Sequence, residues 1–408
     1  MVLAVKVPPD LISGEVDAGY GKLADVFRRT MVGGQEIGAA VAVYRDGEKV
    51  VDLWGGYQDG ISKAPWQEDT VVTVCSTSKG VSSLSVAVAA SQGLISYDAK
   101  VAEYWPEFAQ AGKDGVTVRD LLSHQVGLPV LDHPLTLDDL VQPGMMSAKL
   151  AAQAPAWPPG ERHGYHAVTL GWYESELIRH ADPAGRSLGR FFAEEVAAPL
   201  GLDFYIGLPD SVDRDRVAHL HTWTRYEALL HLNTMPPRFV LGLLNPRSLS
   251  ARAFATPGIR EFDDMNREET RTVEMPAANG IGTARAIAAL YGCAATGGTE
   301  IGLARPVLDS LVNPAAPPAR GMRDKVLYVD TRFSLGFMKP FPTFTFGSSD
   351  KAFGTPGAGG SFGMADPDAG VGFAYVTNRY GFHLWSDPRE LALRQVLFQE
   401  ILGARSQT

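Results

Sequence analysis

Strand patterns lie at the two ends of this chain and helical patterns fill its middle, which points to an antiparallel sheet flanked by helices. Near the N-terminus, IGAAVAVYR and EKVVDLW flank Asp46-Gly47. That dipeptide adopts the two-residue turn whose twist suits a hairpin. Near the C-terminus, residues 325–339, the region 352–365 and residues 371–378 read as strands. Ser386-Asp387-Pro388 opens a last helix and Gly403 closes it. Residues 17–31 place Leu23, Val26 and Phe27 at helical spacing. A β-branched run from residue 69 leads into a helix from about Ser76 to Gly93, whose Ala and Ser content suits close burial. Segments 117–124, 136–154, 166–182, 187–199 and 281–297 carry helical patterns cut by Pro and Gly. Residues 212–270 are rich in Arg, Pro, Met, Phe and Trp without a clean period, and read as an insertion that walls a binding site. The expected fold is α+β: an antiparallel sheet flanked by helices, with the strand patterns in 1–100 and 290–408, plus a mostly helical domain over 101–289 that carries the irregular insertion.

Composition narrows the function. Against 46 Asp and Glu stand 37 Lys and Arg, a net charge of -9, which argues against nucleic acid as the main partner. With 45% hydrophobic and 20% charged residues the chain is globular rather than disordered. Two cysteines, Cys75 and Cys293, exclude a disulfide scaffold and a four-cysteine zinc site, and suit a reducing compartment. No apolar run reaches the ~18 residues of a membrane span. Lys6, Pro8 and Pro9 interrupt the first apolar run, which makes a poor signal peptide, so a cytoplasmic location is expected.

Ser76-Thr77-Ser78-Lys79 at a helix start is the strongest chemical signal. Residues three apart share a helix face, so the lysine reaches the serine hydroxyl. The helix N-terminus favours a developing oxyanion, and burial lowers a lysine's pKa until it can accept a proton. The same four residues also fit a helix cap followed by a surface lysine. Tyr165, in Gly164-Tyr165-His166-Ala167, can serve as a base only if its pKa of ~10 is lowered. Gly354-Thr355-Pro356-Gly357-Ala358-Gly359-Gly360-Ser361 allows close backbone approach to a ligand, and fits a tight surface turn equally well.

In order and content these pieces resemble the serine β-lactamase superfamily. They are Ser76-x-x-Lys79, VRDLLSHQVGLP (118–129), PPGERHGYHAVTLGWY (158–173), AANGIGTARAIAALY (277–291) and FGTPGAGGSFGMADPDAGVGFAYVTN (353–378). The branch is that of the β-lactamase-like carboxylesterases, the family VIII esterases, and the resemblance runs over about residues 13–403. It implies Ser76 as the acylated nucleophile, Lys79 as its proton partner and Tyr165 as general base. It also implies an oxyanion hole from the Ser76 and Ala358 N–H groups, acyl transfer through an acyl-enzyme, and no metal or organic cofactor. The sequence departs from class C β-lactamases twice. Ala167 stands where their Tyr-x-Asn motif has Asn, and Thr355-Pro356-Gly357 where they have Lys-Thr-Gly. Both changes remove polar groups that orient a charged amide.

Gly359-Gly360-Ser361-Phe362-Gly363 also fits the nucleophile elbow of α/β-hydrolases, but lacks a core strand before it and a helix after it. His219-Leu220-His221 lacks a third metal ligand at the usual spacing. His124 and Asn279 read as structural, and Cys75 as a core residue. His166, Thr355, Gly357, Gly359 and Trp385 are the candidate substrate contacts, with Trp157, Trp172 and Trp223 as further walls of an apolar pocket. The expectation is a serine carboxylesterase for short- to medium-chain esters. A β-lactamase, D-amino-acid peptidase, amidase or acyltransferase on the same fold is the alternative, and a catalytically silent scaffold is the reading from another class. The small-molecule ester is the expected partner, and the sequence does not set an oligomeric state.

Overall fold

The structure is a computed structural model that describes residues 5–404 apart from 224–226, 228 and 229. Part of the expected 212–270 insertion therefore lies outside the described residues. One large antiparallel sheet holds strands β1 (Ile12–Val16), β2 (Gly38–Arg45), β3 (Glu48–Asp59), β4 (Phe333–Ser334), β5 (Phe337–Met338), β6 (Phe353–Pro356), β7 (Phe362–Asp366) and β8 (Val371–Thr377). Their spatial order is β1-β3-β2-β8-β7-β6-β5-β4, with Ala64–Pro65 paired to the end of β3. The two termini meet where β8 pairs with β2, in register from Val371 opposite Arg45 to Thr377 opposite Ala39. Asp46 and Gly47 close the β2–β3 hairpin with φ of 51° and 88°, the left-handed pair that such a turn needs.

Helices cover both faces of the sheet. Helix α5 (Ala284–Ala295) packs on β2, β7 and β8. Helices α1 (Gly21–Val32) and α6 (Pro388–Gln395) pack together on the opposite face. Strand β8 is therefore buried along its whole length, which is why its sequence is a continuous apolar run rather than an alternating one. The expected border at residue 289 falls inside α5, so the sheet layer begins before it. A second, small sheet joins Val72–Thr73, Ile281–Gly282 and Phe204–Tyr205 beside the start of helix α2 (Ser78–Ser91). The small side chains of α2 let it sink between the sheet and helix α3 (Thr169–Ala181), and only its last turn leaves the core.

Several local expectations change in three dimensions. The 136–154 pattern splits into Leu137–Leu140 and Pro143–Ala152, because Pro143 starts a new helix at its N1 position. The 166–182 helix begins only at Thr169. Before it, the Tyr165 N–H donates to Asp324 Oδ2 (3.0 Å) and the His166 N–H to His124 Nδ1 (3.0 Å), which keeps that backbone out of the helix. Residues 325–339 do not form one strand. The Asp324 carboxylate accepts from the N–H groups of Val326 (2.7 Å) and Leu327 (2.8 Å) and curls the chain, leaving only the two-residue strands β4 and β5. No helix among the described residues is long and apolar enough to cross a membrane.

A buried ionic cluster ties α6 to the glycine-rich loop between β6 and β7. The Arg389 guanidinium donates to Asp387 Oδ1 (2.7 Å), Glu36 Oε2 (3.1 Å) and the carbonyl of Gly359 (2.8 Å). Its pKa is raised by Glu36 and Asp387 despite the opposing effect of burial. Removing one member strands the others without compensation. Arg389→Ala is expected to lower unfolding free energy by roughly 3–5 kcal/mol in urea denaturation.

Candidate active site

The site begins at a turn before α2. Strand residues Val72–Thr73 pair with Ile281–Gly282, and the Val74 N–H continues the contact to the Gly280 carbonyl at 2.9 Å. The chain then reverses through Cys75, whose φ of 48° is uncommon for a residue with a side chain. Cys75–Thr77 forms a single 3-10 turn that runs into α2. The Ser78 hydroxyl locks this geometry, donating to the Cys75 carbonyl (2.5 Å) and accepting from the Gly280 N–H (2.8 Å). Asn279 completes the frame, its side chain bonding Met275, Thr270 and Val273 of its own loop, a structural role as expected.

Lys79 lies at the centre and is fully buried. Its Nζ is 2.9 Å from Ser76 Oγ and donates to the Ala277 carbonyl at 2.8 Å. It also sits 5.0 Å from the centroid of the Tyr165 ring. Desolvation pulls the Lys79 pKa down to about 7, against a counter-effect from Glu174. Tyr165 moves the other way. Burial raises its pKa, and a hydrogen bond with Ser76 only partly offsets this. Its ring stacks on Phe333 (6.1 Å, 5° between planes) and lies 5.4 Å from the ring of His124. At neutral pH the amine is therefore the stronger available base of the two.

The β6–β7 hairpin closes over this turn. Ser361 Oγ donates to the Val74 carbonyl (2.8 Å) and contacts Thr77 Oγ1 (3.0 Å). Ser361 is thus a buried tie between antiparallel strands, which excludes the nucleophile-elbow reading. A Cβ at Gly357 would lie 2.3 Å from the Val74 carbonyl oxygen and 2.8 Å from Thr77 Oγ1, so only glycine allows the approach. The result is a cleft of about 250 Å³ with Ser76, Cys75, Ala358 and Gly359 in its wall. The rest of that wall is largely apolar: Trp223, Phe239, Phe254, Phe262, Tyr380 and Phe382 are prominent. Among its described lining residues there is no Lys, Arg, Asp or Glu.

The candidate contacts separate on this geometry. Gly359 lines the cleft together with Ala358. Thr355 does not: its hydroxyl donates to the Thr77 carbonyl (3.1 Å) and contacts Tyr291 Oη (3.1 Å), inside the protein. Gly357 is spent on packing. His166 is fully buried, its ring Nε2 accepting from the Leu128 N–H (3.3 Å), and burial lowers its pKa to about 3. Trp385 packs on Phe341 and Phe344 with its indole N–H on the Thr343 carbonyl (2.9 Å), while its neighbours His383 and Leu384 reach the cleft instead. Of the other tryptophans only Trp223 lines the cleft. Trp157 donates to the Arg162 carbonyl (2.9 Å), and Trp172 faces a separate cavity. The 212–270 segment supplies Trp223, Phe239 and Phe254, and its helix α4 (Pro237–Leu244) presents Leu243 to the same space. Phe262 and Met265 come from it too; Tyr380 and Phe382 come from beyond β8 and carried no sequence signal.

The remaining motifs are structural. His221 Nε2 accepts from the Gly60 N–H (2.9 Å), and burial lowers its pKa to about 4. No cluster of three or more His, Cys, Asp or Glu among the described residues can hold a metal ion. The Cys75 thiol meets Tyr380 Oη, and burial raises its pKa to about 11, far from a reactive thiolate.

Comparison with known proteins places the whole fold among characterised families. The β-lactamase family profile matches residues 23–396. The chain is 36% identical over 370 residues to the esterase/beta-lactamase LipL of Mycobacterium tuberculosis, covering 90% of this chain and 83% of that protein. A penicillin-binding protein homologue from Caulobacter crescentus superposes with a TM-score of 0.80 at 38% identity, over 94% of this chain and 97% of the other. A family VIII carboxylesterase superposes with a TM-score of 0.80 at 35% identity, over 95% and 99%.

Gly80, one residue beyond Lys79, offers a test of how tightly the site is packed. A Cβ there would fall 1.8 Å from Tyr291 Oη and 2.8 Å from Thr355 Oγ1. Gly80→Ala is expected to cost roughly 1–3 kcal/mol of stability, read as a lowered urea midpoint, although alanine is the better helix former.

Proposed function

The chain belongs to the β-lactamase family, and on that premise we propose that it is a serine carboxylesterase that works through an acyl-enzyme on Ser76. The observation that carries this reading is the buried Lys79 amine 2.9 Å from the Ser76 hydroxyl, in a turn that forms part of an apolar cleft.

In the proposed reaction Lys79 acts as the free amine. The Ser76 O–H then donates to Nζ, and Oγ attacks the ester carbonyl carbon as the amine takes its proton. The backbone N–H groups of Ser76 and Ala358 hold the tetrahedral oxyanion. The carbon–oxygen bond to the alcohol breaks, and Tyr165 passes a proton from Lys79 to the departing oxygen. Water then attacks the acyl-enzyme by the same steps in reverse order, releasing the acid. The base in this scheme is Lys79 rather than Tyr165, because burial lowers the one pKa and raises the other. A largely apolar wall with no Lys, Arg, Asp or Glu among its described residues suits the uncharged acyl or alcohol part of short- to medium-chain esters. Hydrolysis of a β-lactam is the second reading, supported by the name of the 36% identical relative.

Two outcomes test the scheme. A fluorophosphonate should label Ser76, and Ser76→Ala should lose roughly 10³-fold or more of p-nitrophenyl butyrate hydrolysis while keeping its fold. Label on another serine, or near-normal turnover of the variant, would falsify the nucleophile assignment. In wild-type protein kcat/KM should rise with pH through about 7, as Lys79 loses its proton. A rate unchanged between pH 5.5 and 8.5 would remove Lys79 as the base. A chromogenic cephalosporin hydrolysed faster than the butyrate ester would favour the second reading.

A further inference from the structure

Behind Lys79, away from the cleft, lies a carboxyl group that the proposed reaction does not yet use. Glu174 projects from α3 and is fully buried, as Lys79 is. Ser83 stands one helical turn after Lys79, on the same face of α2, and its hydroxyl donates to Glu174 Oε1 at 2.7 Å. Gly336, in the turn between β4 and β5, closes the other side: a Cβ there would lie 3.2 Å from the same oxygen. The second oxygen, Oε2, is buried without a hydrogen-bond partner among the described residues. A carboxyl in that position is costly to ionise unless a cation lies within reach.

The groups facing the pair come from several elements. Around Lys79 stand Cys75, Tyr165, His124 and Glu174. Burial keeps the Cys75 thiol and the Tyr165 phenol protonated and the His124 ring neutral near pH 7. Around Glu174 stand Ser83, Lys79 and Tyr97, and burial raises the Tyr97 pKa as well. Arg119 reaches Tyr97 from the helix Val118–Leu122. Glu174 is thus the group near Lys79 whose charge changes in the range where the enzyme would work. Desolvation raises it to about 8, close to the value of about 7 for Lys79.

We propose that Glu174 is a positioning residue that controls the proton on Lys79. Ionised, it holds the ammonium form. Protonated, it leaves Lys79 as the free amine that takes the Ser76 proton. The two groups act on each other through the field in the buried space between α2 and α3, and Ser83 sets the balance by stabilising the carboxylate. This inference rests on the acyl-enzyme reading.

The test is the rate at which a fluorophosphonate labels Ser76 in the full chain between pH 5 and 9, since this readout needs no ester substrate. With an ionisable carboxyl near Lys79, wild-type labelling should rise over a broad range. In Glu174→Gln no carboxylate holds the ammonium, so the rise should sharpen to a single step and its midpoint should move to lower pH by about 1 unit. Ser83→Ala, which keeps the carboxyl but weakens its ionised form, should move the midpoint the same way by less. It also serves as the second variant if Glu174→Gln does not fold. A lower plateau with an unmoved midpoint in either folded variant would show a structural role alone and overturn this inference. Failure of the wild-type protein to label at Ser76 would overturn the acyl-enzyme reading and this inference together.

Discussion

The burial of one lysine organises this structure. Lys79 has no exposed surface, and its amine meets a hydroxyl and a backbone carbonyl instead of water. That environment carries a desolvation cost which only a rigid frame sustains. The frame is visible on every side. Small residues let α2 enter the core, the three-stranded small sheet brings Ala277 to the amine, and the left-handed Cys75 turns Ser76 toward it. The same cost lowers the lysine's pKa, so the packing that makes the site expensive also leaves more of its amine unprotonated near neutral pH.

A second constraint holds the cleft open beside that lysine. The β6–β7 loop has to lie against the start of α2, and two contacts from distant parts of the chain keep it there. Ser361 ties it inward to Val74, and Arg389 ties it outward through Gly359. The glycines leave room for both. Sheet assembly from the two termini is therefore more than an architectural feature, because β8 pairing with β2 brings α6 and its arginine over a loop that faces α2.

Local pattern made much of this legible. The Asp46-Gly47 hairpin, the helix after Ser76 and the helix opened by Asp387-Pro388 all follow from capping and turn chemistry, and each is present. The Ser76–Lys79 contact follows from helical spacing once the helix is known. Substrate contacts were harder to read. His166 and Trp385 adjoin residues that do line the cleft, but neighbouring side chains of a loop or turn point different ways, and only the fold decides which. Thr355 lies on a strand whose buried face bonds Thr77 and Tyr291, so its hydroxyl is taken up inside the protein. The strand expected over 325–339 is broken by a side chain, the Asp324 carboxylate, which competes with sheet pairing for the backbone N–H groups.

Sequence alone determined the order of elements, the α+β class and the Ser76–Lys79 spacing, because these depend on residue type and short spacing, while Tyr165 joined them only through the family resemblance. Tertiary structure decided the proton affinities of Lys79 and Tyr165, since burial shifts an amine and a phenol in opposite directions. It also decided the cleft wall, where Trp223, Phe254 and Tyr380 meet from segments far apart in the chain. Glu174 belongs there as well. A glutamate among the residues of an amphipathic helix reads as a solvent-facing charge, and only the packing of α3 on α2 turns it toward a lysine ninety-five positions earlier in the chain.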